Sequence, residues 1–179
     1  MNNTVKNYNV VSRLLHWVSA ITIFGMFGIG LWMVDLTYYS EWYKTAPDWH
    51  RSVGIILAIV TLGRMLWKHV TASPKVEGKA YEVITAKIVH LLMYVLLFVL
   101  FVSGYLISTS DGRGIDVFTW FTVPSLGELF ANQSDIAGNI HYYTACILVG
   151  LASVHALAAL KHHIIDKDNT LRKMIGASK

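Results

Sequence analysis

The chain has 179 residues, 54% of them hydrophobic and only 15% charged, with a mean hydropathy of +0.47. Soluble domains carry about 25% charged residues, so these values exclude an ordinary soluble protein and define an integral membrane one. The formal charge of +4 reads as a topology signal and not as a nucleic-acid footprint, so no nucleic-acid partner is expected.

Four apolar spans follow in chain order, at about 14–36, 49–68, 83–107 and 139–163, each near the ~20 residues that cross a bilayer core. The first is long for a signal peptide, and Gly28, Gly30 and Trp32 near its end make no small-residue cleavage site. Its connection to the second span is short and aromatic, with Tyr38, Tyr39, Trp42, Tyr43 and Trp49 forming a belt suited to the headgroup level. The connection from Ser108 to Asn139 is long and carries Asp111, Asp116, Glu128 and Asp135 against Arg113 alone. Loops of that length are usually functional, and Trp120, Phe121 and Val123 before Pro124 point to a short segment lying on the surface. There is no repeat, and residues 1–179 read as one transmembrane domain.

Lys and Arg set the orientation. Twelve fall in the N-terminal arm, around the second connection and at the C-terminus, Arg64 being counted with that connection; three, Lys44, Arg51 and Arg113, fall on the other side. The positive-inside rule then places both termini in the cytoplasm. The expected fold is all-α: an up-and-down four-helix bundle in the membrane.

Ionisable residues inside spans are costly and mark functional sites by default. The candidates are His16, His50, His141 and His155. Neutral imidazole is a common axial ligand of haem iron, and the single Cys146 excludes disulfides within the chain, cysteine-held clusters and covalent haem attachment. His16 begins the first span at the cytoplasmic side, while His50 and His141 open the second and fourth from the outside. His155 lies fourteen residues beyond His141, about 21 Å down the same helix and within ~40° of the same face. Two bis-histidine sites, one above the other, are what that geometry favours. The residue four along from each candidate is small, namely Ala20, Gly54, Ala145 and Ala159, whereas His90 has Tyr94 there. His90 shares the cytoplasmic half with His16 and His155, so three imidazoles compete for two axial positions. Arg13, Arg51, Lys161 and His162 stand beside the candidates as contacts for haem propionates or a quinone. His69, His162 and His163 otherwise read as border residues.

The strings Arg13-Leu14-Leu15-His16-Trp17, His50-Arg51-Ser52-Val53-Gly54-Ile55 and Ser103-Gly104-Tyr105-Leu106-Ile107-Ser108 resemble the bacterial cytochrome b561 family. The most specific string is Leu160-Lys161-His162-His163-Ile164-Ile165-Asp166-Lys167-Asp168-Asn169-Thr170-Leu171. The resemblance covers essentially the whole chain and extends to the di-haem cytochrome b subunits of nickel hydrogenase and formate dehydrogenase. It implies two non-covalent haem b groups, a bacterial inner-membrane location and electron transfer across the bilayer, commonly with quinone as partner. It also implies the pairs His50 with His141 and His16 with His155, leaving His90 outside. Three functions are compatible with it: a carrier between an external donor, such as a small molecule or periplasmic protein, and the quinone pool; a superoxide:quinone-type oxidoreductase; and a membrane anchor subunit of a larger respiratory enzyme.

Overall fold

In a computed structural model, which describes residues 5–75 and 78–177, the chain forms four long helices, a small hairpin and a short terminal helix. The long ones are α1 (Val10–Val34), α2 (Thr45–Val70), α3 (Ala80–Thr109) and α4 (Gln133–Ile164), followed by α5 (Thr170–Ile175). All four are long and apolar enough to cross a membrane, and together they make a four-helix transmembrane bundle. Each starts before its apolar run does, and polar side chains cap the starts of α1 and α3. Asn9 Oδ1 accepts from Ser12 N at 2.8 Å to open α1, and Glu82 Oε2 accepts from Lys79 N at 2.8 Å to open α3.

α1 packs along α2 and α3 along α4, with thinner seams between α2 and α3 and between α1 and α4. The chain therefore runs round the bundle in order, and α2 faces α4 across a diagonal. Few apolar side chains are buried: Leu57, Leu97 and Leu148 are the leucines among them, one each from α2, α3 and α4. Leu57 and Leu148 each lie seven residues from a histidine of the upper tier, and Leu97 seven from His90, so the three form an apolar layer about 10 Å from either tier. The outward faces, with Ile21, Leu66 and Leu157 exposed, are those a bilayer would cover.

At one end of the bundle, the N-terminal arm meets the C-terminal helix. Tyr8 N donates to Lys173 O at 3.3 Å, Trp17 Nε1 to Met174 O at 3.2 Å, and Lys173 Nζ to Lys75 O at 2.7 Å. These contacts mark the terminal end of the bundle. The opposite end carries a hairpin of β1 (Ile115–Val117) and β2 (Phe121–Val123), antiparallel with Ile115 opposite Val123. The long connection is thus more ordered than a surface segment: Ile115 and Val117 point inward and are buried, while Trp120 at the turn is exposed. Ser52 of α2 pins it, its Oγ donating to Asp116 O at 3.2 Å and accepting from Phe118 N at 3.0 Å. Fully buried Gln133 ties the loop to α3, with Nε2 donating to Leu106 O at 2.9 Å and Oε1 accepting from Leu129 N at 2.7 Å.

Candidate haem-binding sites

His50 and His141 are not at helix entrances, as expected from the apolar runs, but inside α2 and α4, because Thr45 and Gln133 begin those helices. His141 is about two turns in. From there the two imidazoles face each other across the bundle diagonal with ring centroids 6.2 Å apart. They border a cavity of about 510 Å³ lined by all four long helices, well inside the range of cofactor sites. A metal–imidazole bond is about 2.0–2.1 Å, so two such bonds back to back, plus half of each ring, separate the centroids by about 6 Å. The observed spacing therefore suits one iron between them.

Glycines make room for these rings. A Cβ at Gly104 of α3 would lie 3.2 Å from His141 Cε1, and one at Gly30 of α1 would lie 3.4 Å from His50 Cε1. Gly54 and Ala145, the small residues one turn beyond the two histidines, also line the cavity. His141 is oriented from behind: its Nδ1 lies 3.1 Å from the Leu100 carbonyl and 3.1 Å from Ser103 Oγ. A carbonyl only accepts, so the ring proton sits on Nδ1 and the Nε2 lone pair is left for a metal. His50 Nδ1 is buried without a hydrogen-bond partner among the described residues.

The second tier holds three imidazoles. His90 and His155 are in edge contact at 5.0 Å between centroids, about 1 Å closer than an iron between them would allow. His16 is within electrostatic reach of both, and its Nδ1 lies 2.9 Å from Arg64 Nη2. Arg64 itself lies inside α2, over the ring of Tyr94 at 6.0 Å. It falls within the expected second span, six residues before the end of α2 at Val70.

The remaining cations sit apart in different ways. Arg51 lines the cavity and pairs with Asp48. Arg13 packs its guanidinium over Gly176, in the left-handed conformation that ends α5. Lys161 and His162 are held in a carboxylate cluster: Lys161 Nζ is 2.6 Å from Asp166 and 3.8 Å from Glu82, and His162 Nδ1 is 2.9 Å from Asp166 and 3.1 Å from Asp168. The Lys161 hydrogen bond holds the exposed Asp166 carboxyl below the usual carboxylate range.

A four-helix membrane bundle with facing imidazoles across a cofactor-sized cavity defines a membrane-bound cytochrome of the b type. The comparisons agree. The family model described as prokaryotic cytochrome b561 matches residues 7–177. Cytochrome b561 homolog 2 of Escherichia coli (strain K12) is 46% identical over 179 residues, covering 98% of this chain and 95% of that protein. Cytochrome b561 homolog 1 of the same organism is 28% identical, covering 90% and 92%, and a protein of Yersinia pestis named probable superoxide oxidase CybB is 27% identical, covering 95% and 96%. The chain belongs to the prokaryotic cytochrome b561 family. It is a multi-pass cytochrome of the bacterial inner membrane, and its family implies haem b.

Proposed function

We propose that this cytochrome holds two haem b groups, one per tier, and carries electrons across the membrane between an external donor and the quinone pool. The observation that supports it most is the His50–His141 spacing across the cavity. His50 and His141 would hold the outer haem, and His16 with His155 the inner one, His90 being the rival for the latter. Haem held by a pair of these imidazoles would supply one-electron chemistry and would leave no open position for substrate, which suits electron transfer. The protein's part is to hold the rings. His141 is fixed by Ser103 and the Leu100 carbonyl, Gly30 and Gly104 admit the ring edges, and the leucine layer keeps the two sites apart in an apolar medium. Lys and Arg concentrate at the terminal end, so both termini face the cytoplasm and the hairpin faces outward. Quinone would then be served near the inner tier, with His90, Lys161 and His162 as candidate contacts.

The name of the Yersinia pestis relative favours a second reading, in which superoxide is the external reductant and quinone the acceptor. The hairpin end has seven acids against three bases, and two of those bases, Arg51 and Arg113, are already paired with Asp48 and Asp111. Such a surface does little to draw in an anion, so the carrier reading stands first.

Purified protein in detergent is expected to show a b-type reduced-minus-oxidised spectrum with two haems per chain. His141→Ala should remove one and His155→Ala the other. A single haem in the unsubstituted protein would overturn the relay, and loss of the inner haem in His90→Ala with retention in His155→Ala would establish His90 as the ligand.

A further inference from the structure

Arg64 is a cation inside a membrane-spanning helix with no carboxylate beside it among the described residues. Its nearest partners are His16 Nδ1 at 2.9 Å and the face of Tyr94 at 6.0 Å, with Tyr8, His90 and His155 within electrostatic reach; none of these is a carboxylate. Among the described residues, the acids at this end of the bundle, Glu82, Asp166 and Asp168, are gathered around Lys161 and His162 instead. A half-buried guanidinium left with uncharged partners is costly in or near a bilayer, and a planar fork of donors matches a carboxylate or phosphate.

The contact with His16 adds a second constraint. Arginine only donates, so His16 accepts at Nδ1 and carries its ring proton on Nε2. A histidine that binds iron through Nε2 needs the opposite tautomer, with the proton on Nδ1. His16 and Arg64 therefore cannot keep this bond if His16 becomes an axial ligand. The ring proton moves from Nε2 to Nδ1, no net charge changes, and Arg64 has to find another acceptor close by.

We propose that Arg64 is the anion anchor of the inner site: it leaves His16 as haem enters and binds a haem propionate carboxylate. One ligand thereby satisfies both constraints, since the same molecule supplies the iron that His16 takes up and the carboxylate that Arg64 lacks. This rests on the reading that the inner tier holds haem. Of the sequence-derived propionate candidates at this end, Lys161 and His162 are already engaged with carboxylates and Arg13 has its guanidinium against Gly176 at the end of α5, whereas Arg64 lies beside the inner-tier imidazoles.

The test isolates the inner haem in a His141→Ala background and reconstitutes the haem-free full-length protein with haem b or with its dimethyl ester, in which both propionates are blocked. Haem retention is read from the b-type absorbance after gel filtration, and affinity by titration. The expected result is that the ester binds roughly 10- to 100-fold more weakly than the free acid, the value of one charge-assisted hydrogen bond. Arg64→Gln should bind both equally weakly, and Arg64→Lys should recover part of the preference. An unchanged preference in Arg64→Gln would overturn the assignment. So would equal binding of the two haems, with retention in protein reconstituted into phosphatidylcholine vesicles rising instead with added phosphatidylglycerol, which would make phospholipid phosphate the anion. Absence of any haem in this background, with one in the parent, would remove the two-haem reading itself, a result distinguishable from failure of the anchor alone.

Discussion

Ser103 Oγ lies 3.1 Å from His141 Nδ1 while donating its own hydrogen to the Val99 carbonyl at 2.7 Å. The hydroxyl is turned away from the ring and presents a lone pair to it, so it acts on His141 as an acceptor. An acceptor at Nδ1–H makes the imidazole a more basic ligand and favours the ferric state of an iron bound at Nε2. Ser103→Ala is therefore expected to raise the midpoint potential of the outer haem and leave the inner one unchanged, with Ser103→Thr restoring the original value. Redox titration followed in the α-band resolves the two; equal movement of both haems, or of neither, would remove Ser103 from this role.

Gly104 and Gly30 differ in how much room they leave. An added methyl would stand 3.2 Å from His141 Cε1 at Gly104 but 3.4 Å from His50 Cε1 at Gly30. His141 is also held from behind by two hydrogen-bond acceptors and has less freedom to yield. Gly104→Ala should cost about 1–3 kcal/mol by overpacking and displace the outer haem, while Gly30→Ala should be the milder change. Haem-to-protein ratio and thermal denaturation of the two variants compare them directly; the reverse order would mean that His141 is the more mobile ring.

What the sequence disclosed and what it concealed divide along physical lines. Apolar runs near bilayer length give the four helices, and residue counting along one helix puts His141 and His155 on the same face at two depths. Contacts between helices are another matter. One turn along their own helices His50 and His141 have Gly54 and Ala145, whereas the glycines closest to the rings, Gly30 and Gly104, come from neighbouring helices. Arg64 was invisible as a site residue for the same reason, since its partner His16 is 48 positions away. The hairpin is built from two strands of three residues, too short for a legible alternation.

Asp111 and Arg113 form an exposed pair at the hairpin end, with Arg113 Nε donating to Asp111 Oδ2 at 2.7 Å and Arg113 N to Oδ1 at 3.0 Å. The side-chain hydrogen bond from Arg113 holds the Asp111 carboxyl below the usual carboxylate range, and the same contact raises the Arg113 guanidinium. A carboxyl with a depressed folded value lends stability above its ordinary value and loses it as pH falls through the depressed one. Arg113→Gln should return the Asp111 titration, followed by carbon-13 NMR of the carboxyl, toward that of a free aspartate. Because the pair is open to solvent, melting temperature should scarcely move; a titration unaffected by the substitution would mean that the pair does not persist in solution.

Ser52 joins α2 to the hairpin two residues from His50 and is almost wholly buried. Its hydroxyl both donates to Asp116 O and accepts from Phe118 N, and Phe118 sits at a positive φ of 49°, a conformation that a bulky residue adopts only when its surroundings hold it. Ser52→Ala leaves the part-buried Phe118 N–H without its partner at a cost of about 1 kcal/mol, and the strain at Phe118 then acts to open the turn. The hairpin covers the outer cavity through Ile115, so its loosening should admit water to the outer site while the inner site stays as it was. Amide hydrogen exchange should rise across residues 115–123 and stay low in α3. Trp49, in ring contact with Phe118 at 5.8 Å, should become more accessible to a water-soluble fluorescence quencher, and unchanged exchange in the hairpin would mean that Gln133 and the buried side chains of Ile115 and Val117 hold it without Ser52.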